Sequence, residues 1–245
     1  MHSRLASVTG RVLNQLRHDR RLIALSLVFP LILIYFLRIA FDVLAGPSFN
    51  ISVYIVPYGA FIVHFITYML TAIVLVRERT SGTLARMFVS GYNQFEIIGG
   101  YLLGYSVLAT IQSLLILFEL NWLFELGFAA GRLASIYLIM WLLAICSMAL
   151  GTLVSNFARN EGQVLPFISL ILLSIILSGI LVPYERLPEW SQVLSHLTPL
   201  YYANEVLQEL IGGGVLLDAW AGLAGLLAYG LAVVIVATLT LREKD

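Results

Sequence analysis

The stretch "RERTSGTLARMF" (residues 77–88) places Arg77, Glu78, Arg79 and Arg86 between two long runs that carry no charge. The twenty-six residues 51–76 before it hold no Asp, Glu, Lys or Arg, within a charge-free run that reaches back to Val43, and twenty-two more such residues begin at Ile97. A helix needs about 20 apolar residues to cross a hydrocarbon layer ~30 Å thick, so the stretch reads as a polar loop joining two membrane spans. The same criterion applied outward gives candidate spans at 22–41, 53–76, 97–118, 133–154, 164–183 and 219–241. Arg38 stands near the end of the first, from where a long cationic side chain can snorkel to water. Sixty per cent of the 245 residues are apolar, 11 per cent are charged and mean hydropathy is +0.93, too little polar skin for a soluble core of this size. The fold expected is all-α: six transmembrane helices in one domain over 1–245.

A formal net charge of zero conceals an asymmetry. Assigning loops alternately to the two sides puts Arg4, Arg11, Arg17, Arg20, Arg21, Arg77, Arg79, Arg86, Arg159, Arg242 and Lys244 on one side and only Arg38, Arg132 and Arg186 on the other. The positive-inside rule then places both termini, the 77–96 loop and the 155–163 loop in the cytoplasm of a multi-pass protein of the cell membrane. Five arginines spread over the first twenty-one residues, with no small-residue cleavage site after them, do not resemble a cleaved signal peptide, so the first span is expected to stay.

Within residues 1–21, Leu5, Val8, Val12 and Leu16 recur at helical spacing, which predicts an amphipathic helix on the inner leaflet rather than a frayed basic leader. The outer segment 183–218 is long and patterned. Pro188 suits a first helical position, with Trp190, Val193, Leu194 and Leu197 following on one face. A second helix opens with Thr198 as N-cap and Pro199 at N1, keeps Ala203, Val206, Leu207, Leu210 and Ile211 on one face and Asn204, Glu205, Gln208 and Glu209 on the other, and ends at Gly212, Gly213 and Gly214. Two helices too short to span and too apolar on one side for water predict a re-entrant hairpin in the outer leaflet, with a flat surface cap as the alternative. In the opening stretch, Ser81 can cap a short helix in which Leu84, Met87 and Phe88 share a face while the arginines point elsewhere. Such a helix docks on lipid headgroups or on a protein; its spacing does not choose.

The run "RERTSGTLARMFVSGYNQFEIIGGYLLGY" (77–105), followed downstream by "LSGILVPYERLPEWSQVLSHLTPLYYANEVLQELI" (177–211), resembles the paired signature regions of ABC-2 type transporter permeases, the membrane subunits of ATP-driven exporters. The N-terminal "LRHDRRLIALSLVFPLILIYFL" is similar to the drug-export branch. The resemblance implies that 78–88 is a coupling helix resting on a separate ATP-binding subunit, with Arg77, Glu78, Arg79, Ser81, Leu84, Met87 and Phe88 in contact, and with Arg17 and Arg20 beside it on the N-terminal helix. It further implies pairing with a second permease copy or a paralogue, and a substrate path lined by the first, second and fifth spans, where Tyr35, Phe36, Tyr58, Phe61 and Phe65 stand with His64 nearby. Walls so poor in charge suit an amphipathic or hydrophobic cargo such as a drug, lipid or glycolipid. Two positions depart from the family pattern: Gly91 replaces a common proline, and Tyr101 replaces a common lysine.

No cofactor is expected in this chain; ATP and Mg would be bound by the partner subunit. A phosphate-binding loop needs a lysine in G-x-x-x-x-G-K-[ST], and Lys244 is the only lysine. No catalytic, metal or nucleic-acid site is expected either. Cys146 is a lone thiol inside the fourth span, H-E-x-x-H is absent, and Ser178-Gly179 is only a faint echo of a nucleophile site, so an intramembrane enzyme is the weakest rival. An ATP-independent channel or secondary carrier ranks above it, but such carriers place ion-coupling carboxylates inside their spans, and these spans hold none. His64 within the second span is either a functional group or a neutral imidazole bonded to a neighbouring helix, and Glu119, Asn121 and Glu125 lie where an outer vestibule or a solvated loop would place them.

Overall fold

The computed structural model describes residues 2–44 and 50–241; Arg242 and Lys244, counted above among the inner-side cations, lie outside them. The described residues are mostly helical, without strands. In chain order the helices are α1 (His2–His18), α2 (Arg20–Ile23), α3 (Phe29–Leu44), α4 (Ser52–Thr80), α5 (Thr83–Val89), α6 (Gln94–Leu123), α7 (Ala130–Phe157), α8 (Leu165–Leu177), α9 (Glu189–Ser195), α10 (Pro199–Gly212) and α11 (Trp220–Thr240). A π-helical turn, Ala24–Val28, joins α2 to α3, and the Phe29 N–H reaches back to the Ala24 carbonyl. Pro30 follows at once; it has no N–H to offer the Ser26 carbonyl, and the wide turn absorbs the break.

Among the described residues, five helical segments are long and apolar enough to cross a membrane: Arg20–Val43, Ser52–Thr80, Gln94–Leu123, Ala130–Phe157 and Trp220–Thr240. The expected span at 164–183 is not among them. Its helix, α8, stops after 13 residues, about 20 Å of rise, because the chain turns at Ser178 and Gly179 and runs irregularly to Pro183. Absence of charge was therefore a poorer guide than helix length at this position.

α4 is the centre of the bundle, with 78 per cent of its most apolar window buried in the chain, against 22 per cent for Arg20–Val43 and for α11, which stand at the edge. It packs chiefly on α7, with α6 and α10 alongside. Short polar links cross between these helices: His64 Nδ1 and Ser147 Oγ are 2.6 Å apart, the Thr67 hydroxyl donates to Gln112 Oε1 at 3.2 Å, and Trp141 Nε1 donates to Thr110 Oγ1 at 3.0 Å. Where no water competes, such links fix helix register. His64 thus takes the structural role of bonding a neighbouring helix. Cys146 is buried against Gly230 of α11, where a Cβ would come within 2.8 Å of its sulfur.

Pro57 lies inside α4 and cannot donate to the carbonyl of Val53. Gln208 of α10 fills the gap, its Nε2 donating to that carbonyl at 2.9 Å. Asn204, one turn earlier, donates to the Ser178 carbonyl at 2.9 Å and is buried. The polar face expected for this helix is therefore only partly a water face, since Asn204 and Gln208 are spent on backbone carbonyls of neighbouring segments. The rest of α10 follows the sequence: Pro199 at N1, Ala203, Val206, Leu207 and Leu210 buried, and Gly213 as C-cap at φ +105°. Thr198 holds the N-cap position but its hydroxyl bonds the Ser195 carbonyl, not the helix start. In α9, Pro188 is the N-cap rather than the first helical residue, and Trp190, Val193 and Leu197 point away from the chain at 66 to 70 per cent exposure.

Candidate coupling site

The charges at the end of α4 each bind a different part of the chain. Glu78 is 5 per cent exposed and accepts from Arg11 Nη1 of α1 at 3.0 Å. Arg11 also donates to the Tyr101 hydroxyl of α6 and lies over that ring, 5.4 Å from its centroid. Its guanidinium pKa is raised: burial alone would lower it, but Tyr101 and Glu78 outweigh that cost. Arg79 donates to the Ser155 carbonyl at 2.7 Å and to Asn156 Oδ1 at 3.2 Å, and Asn156 in turn donates to the Ala237 carbonyl at 2.8 Å. Arg77 forks onto Glu161, Nε to Oε1 at 2.6 Å and Nη2 to Oε2 at 3.2 Å, and this pairing holds the Glu161 carboxyl below its ordinary value. The end of the most buried helix is thereby tied to α1, α6, α7, α11 and the loop before α8.

α1 lies against α6 and not on an open surface. Val8, Val12 and Leu16 are buried, and the first two sit over Gly100 and Gly104, where a Cβ would fall 2.5 Å from a valine side-chain atom. The two glycines, four apart, form a flat track that only a residue without Cβ permits. The expected amphipathic helix is present, but its apolar stripe is satisfied by protein. At its N-terminal end Arg4 donates to the Gly91 carbonyl and lies 5.8 Å from the Tyr92 ring centroid. Gly91 has φ +79°, which a proline at this position could not adopt.

α5 hangs from this frame. Leu84 and Met87 are buried, Phe88 is half-buried, and Arg11 Nη2 is 3.8 Å from the Met87 sulfur. The three apolar residues do share a face, as their spacing predicts, but that face turns into the chain. What α5 presents outward is Ala85, Arg86 and Val89, the last 84 per cent exposed. Ser81 does not cap α5: the N-cap residue is Gly82, and the Ser81 hydroxyl donates to the Glu78 carbonyl at 3.2 Å. A cleft of about 230 Å³ separates α1 from α5, with Ser7 and Arg11 on one wall and Thr83, Arg86 and Ser90 on the other. Arg17 and Arg20 are exposed near the end of α1, and Asp19 between them caps α2 through the Leu22 N–H at 3.0 Å.

The candidate path residues do not form one group. Phe61 and Phe65 lie 6.1 Å apart on a half-buried stripe of α4, and Tyr58 meets Phe41 at 6.4 Å. Tyr35 and Phe36 stand on the outside of α3 at 55 and 61 per cent exposure. His64, also on α4, is fully buried. Sequence reasoning overlooked Arg11 as the organiser of the site; the signal was one cation on the helix bearing the apolar stripe, together with an aromatic residue at 101 and the G-x-x-x-G spacing of residues 100 and 104.

Comparison with known proteins places the chain in a family. A family model described as ABC-2 type transporter matches residues 4–211, a range that begins in α1 and ends in α10. The chain is 27% identical over 180 residues to "ABC transporter G family member 20" of Dictyostelium discoideum, covering 72% of this chain and 24% of that protein. It is 26% identical over 167 residues to "Probable multidrug ABC transporter permease YbhR" of Escherichia coli K12 (67% and 45%), and 25% identical over 175 residues to "Linearmycin resistance permease protein LnrN" of Bacillus subtilis 168 (71% and 45%). The matched segments span less than half the length of each of these relatives. With a model match running unbroken through the α1–α5–α6 frame, the central helices and α10, the chain belongs to the ABC-2 type transporter family.

Proposed function

We propose that this chain is a membrane-embedded half of an ATP-driven exporter, moved by a separate ATP-binding subunit that carries the nucleotide and Mg. Both termini and α5 face the cytoplasm, in keeping with eleven of fourteen basic residues falling on that side of an alternating topology. α8 makes the sixth crossing together with the segment after it, and α9 and α10 return through the outer leaflet as a hairpin. The outward stripe Trp190, Val193 and Leu197 suits lipid contact there. A second copy or a paralogue completes the assembly, with the half-buried aromatics of α4 and the exposed ones of α3 along the path between copies.

The observation that carries this reading is the Arg11–Glu78 link within the α1–α4–α5–α6 frame. Force applied to α5 reaches the most buried helix of the bundle through bonded, packed side chains, which is what a part pushed from outside requires. The roles of the loop residues then divide. Ala85, Arg86 and Val89 on α5, with Arg17 and Arg20, touch the ATP-binding subunit; Glu78, Arg79, Ser81, Leu84, Met87 and Phe88 hold α5 to the bundle, and Arg77 steadies the loop before α8. The cargo is amphipathic or hydrophobic, a drug, lipid or glycolipid. The multidrug and linearmycin-resistance names of two relatives favour this class, as do helices with few charges.

The test is purification from native membranes with and without substitutions on the two faces of α5. Val89→Asp or Arg86→Glu should reduce co-purification of an ATP-binding protein and its stimulated hydrolysis at least about tenfold, a loss on the order of 1.4 kcal/mol, with the melting temperature unchanged. Leu84→Asp should lower the melting temperature. Recovery of the chain without any ATP-binding protein, or full activity in Val89→Asp, would sink the proposal.

A further inference from the structure

A second cleft lies among the helices, away from the coupling site, and opens to the outside beside Leu170. It has a volume of about 280 Å³ and is bounded by α4, α7, α8, α9 and α11, with Leu150, Leu170, Ile171 and Leu177 among its aliphatic walls. Five polar side chains line it; the hydroxyls of Ser174, Thr198 and Tyr229 donate to the Ile171, Ser195 and Leu197 carbonyls, which leaves His64 and Tyr68, one helical turn apart on α4 and buried to within 1 per cent. Among the described residues neither His64 Nε2 nor the Tyr68 hydroxyl has a hydrogen-bond partner.

The hydrogen bonds around His64 fix what its free nitrogen can do. The Ser147 hydroxyl donates its one proton to the Leu143 carbonyl at 2.6 Å. It can therefore only accept from His64 Nδ1, 2.6 Å away, so Nδ1 carries the proton. In the neutral ring Nε2 is then a bare lone pair, buried and unmatched, a costly arrangement in an apolar interior. Tyr68 offers the complementary function, an O–H able to donate. A ligand that satisfies both must donate to one and accept from the other, as an alcohol does and as an ether, ester or ketone does not.

We propose that this pocket binds a compact or single-chain hydrophobe bearing a hydroxyl, which donates to His64 Nε2 and accepts from Tyr68. The aliphatic walls take the hydrocarbon, and the volume, at the lower end for ligand sites, admits one chain rather than two. The ligand is either a resident bilayer lipid or a transported molecule of the same chemistry. The pocket is walled by one chain, so it stands or falls independently of the ATP-binding partner.

The test uses the full chain in phosphatidylcholine nanodiscs and two photoreactive probes, a diazirine-bearing 1-dodecanol and its methyl ether. The alcohol should label peptides covering 64–68 and 165–177 saturably, at concentrations about tenfold lower than the ether. His64→Phe should abolish the alcohol's advantage. Tyr68→Phe, a smaller change, should weaken both probes equally, since each can accept from the phenol. Leu170→Trp, at the exposed mouth, should block both without altering helix content. A hydroxylated single-chain lipid that co-purifies with the chain and is lost in His64→Phe assigns the site to bilayer lipid. Alcohol-selective labelling without such a lipid assigns it to cargo. Equal labelling by alcohol and ether, or alcohol labelling unchanged in both His64→Phe and Tyr68→Phe, overturns the proposal.

Discussion

Arg11 and Glu78 meet at 3.0 Å across sixty-seven residues of sequence, with the carboxylate side chain 6 per cent exposed and the guanidinium 36 per cent exposed. The asymmetry decides what each loss costs. A buried carboxylate stripped of its cation keeps its desolvation penalty, whereas a half-exposed arginine stripped of its anion can turn to water. Arg11→Gln should therefore destabilise by about 2 kcal/mol, lowering the melting temperature by about 4–8 °C for a chain of this size. Glu78→Gln should cost less than half of that, and the double variant should recover most of the Arg11→Gln loss. Fluorescence-detected melting in detergent measures all three; equal costs for the two single changes would show that the pair is not the clamp described.

Tyr101 belongs to the same arrangement. A lysine, common at this position in the family the sequence resembles, would stand beside Arg11 as a like charge; the tyrosine instead accepts its hydrogen bond and offers a ring face.

The surface pair Arg77–Glu161 supplies a different kind of prediction. Arg77 holds the Glu161 carboxyl below its ordinary value of 4.5, so the pair contributes above that value and its contribution is lost as pH falls through the lowered one. Both side chains are about half exposed, which limits the effect to below about 1 kcal/mol. Glu161→Gln should lower the melting temperature by roughly 1–2 °C at pH 7, by progressively less as pH falls below 4.5 through the lowered value, and by nothing measurable in about 1 M salt. A difference that does not shrink with falling pH or in about 1 M salt would mean that Glu161 acts by something other than its charge.

Much of this fold could be read from the chain because each long apolar run needs its own backbone bonds satisfied in lipid, which leaves helix as the outcome. The charges at 77–79, 96 and 159–161 correctly locate the second, third and fourth spans, although α4 runs on through its charges to Thr80 and α6 begins before Glu96 and continues to Leu123. The fifth did not follow: a charge-free run says that a segment can sit in lipid, but not that it stays helical, and Ser178-Gly179 end α8 early. In the coupling site, the apolar spacing of Leu84, Met87 and Phe88 correctly marked a shared face but could not say whether that face meets a partner or the chain itself. That depends on Arg11, seventy-six residues from Met87, and no local pattern reports it. The spare nitrogen of His64 was equally invisible, because it depends on where Ser147 sends its proton.

Gln208 and Pro57 offer the sharpest separation of cause from proximity. The Val53 carbonyl lacks an intrahelical donor because residue 57 is proline, and Gln208 Nε2 supplies one at 2.9 Å. Gln208→Leu alone should cost about 1–2 kcal/mol, the range for a buried carbonyl left unmatched. In a Pro57→Ala background the new N–H can bond Val53 within α4, so the same Gln208→Leu change should cost less than half as much, a coupling of about 1 kcal/mol between residues that need not touch. Hydrogen exchange over residues 203–210 provides an independent readout: protection should fall in Gln208→Leu and return in the double variant. Strictly additive costs, with no return of protection, would show that Gln208 holds α10 to α4 by packing and that the carbonyl freed by the proline is satisfied in some other way.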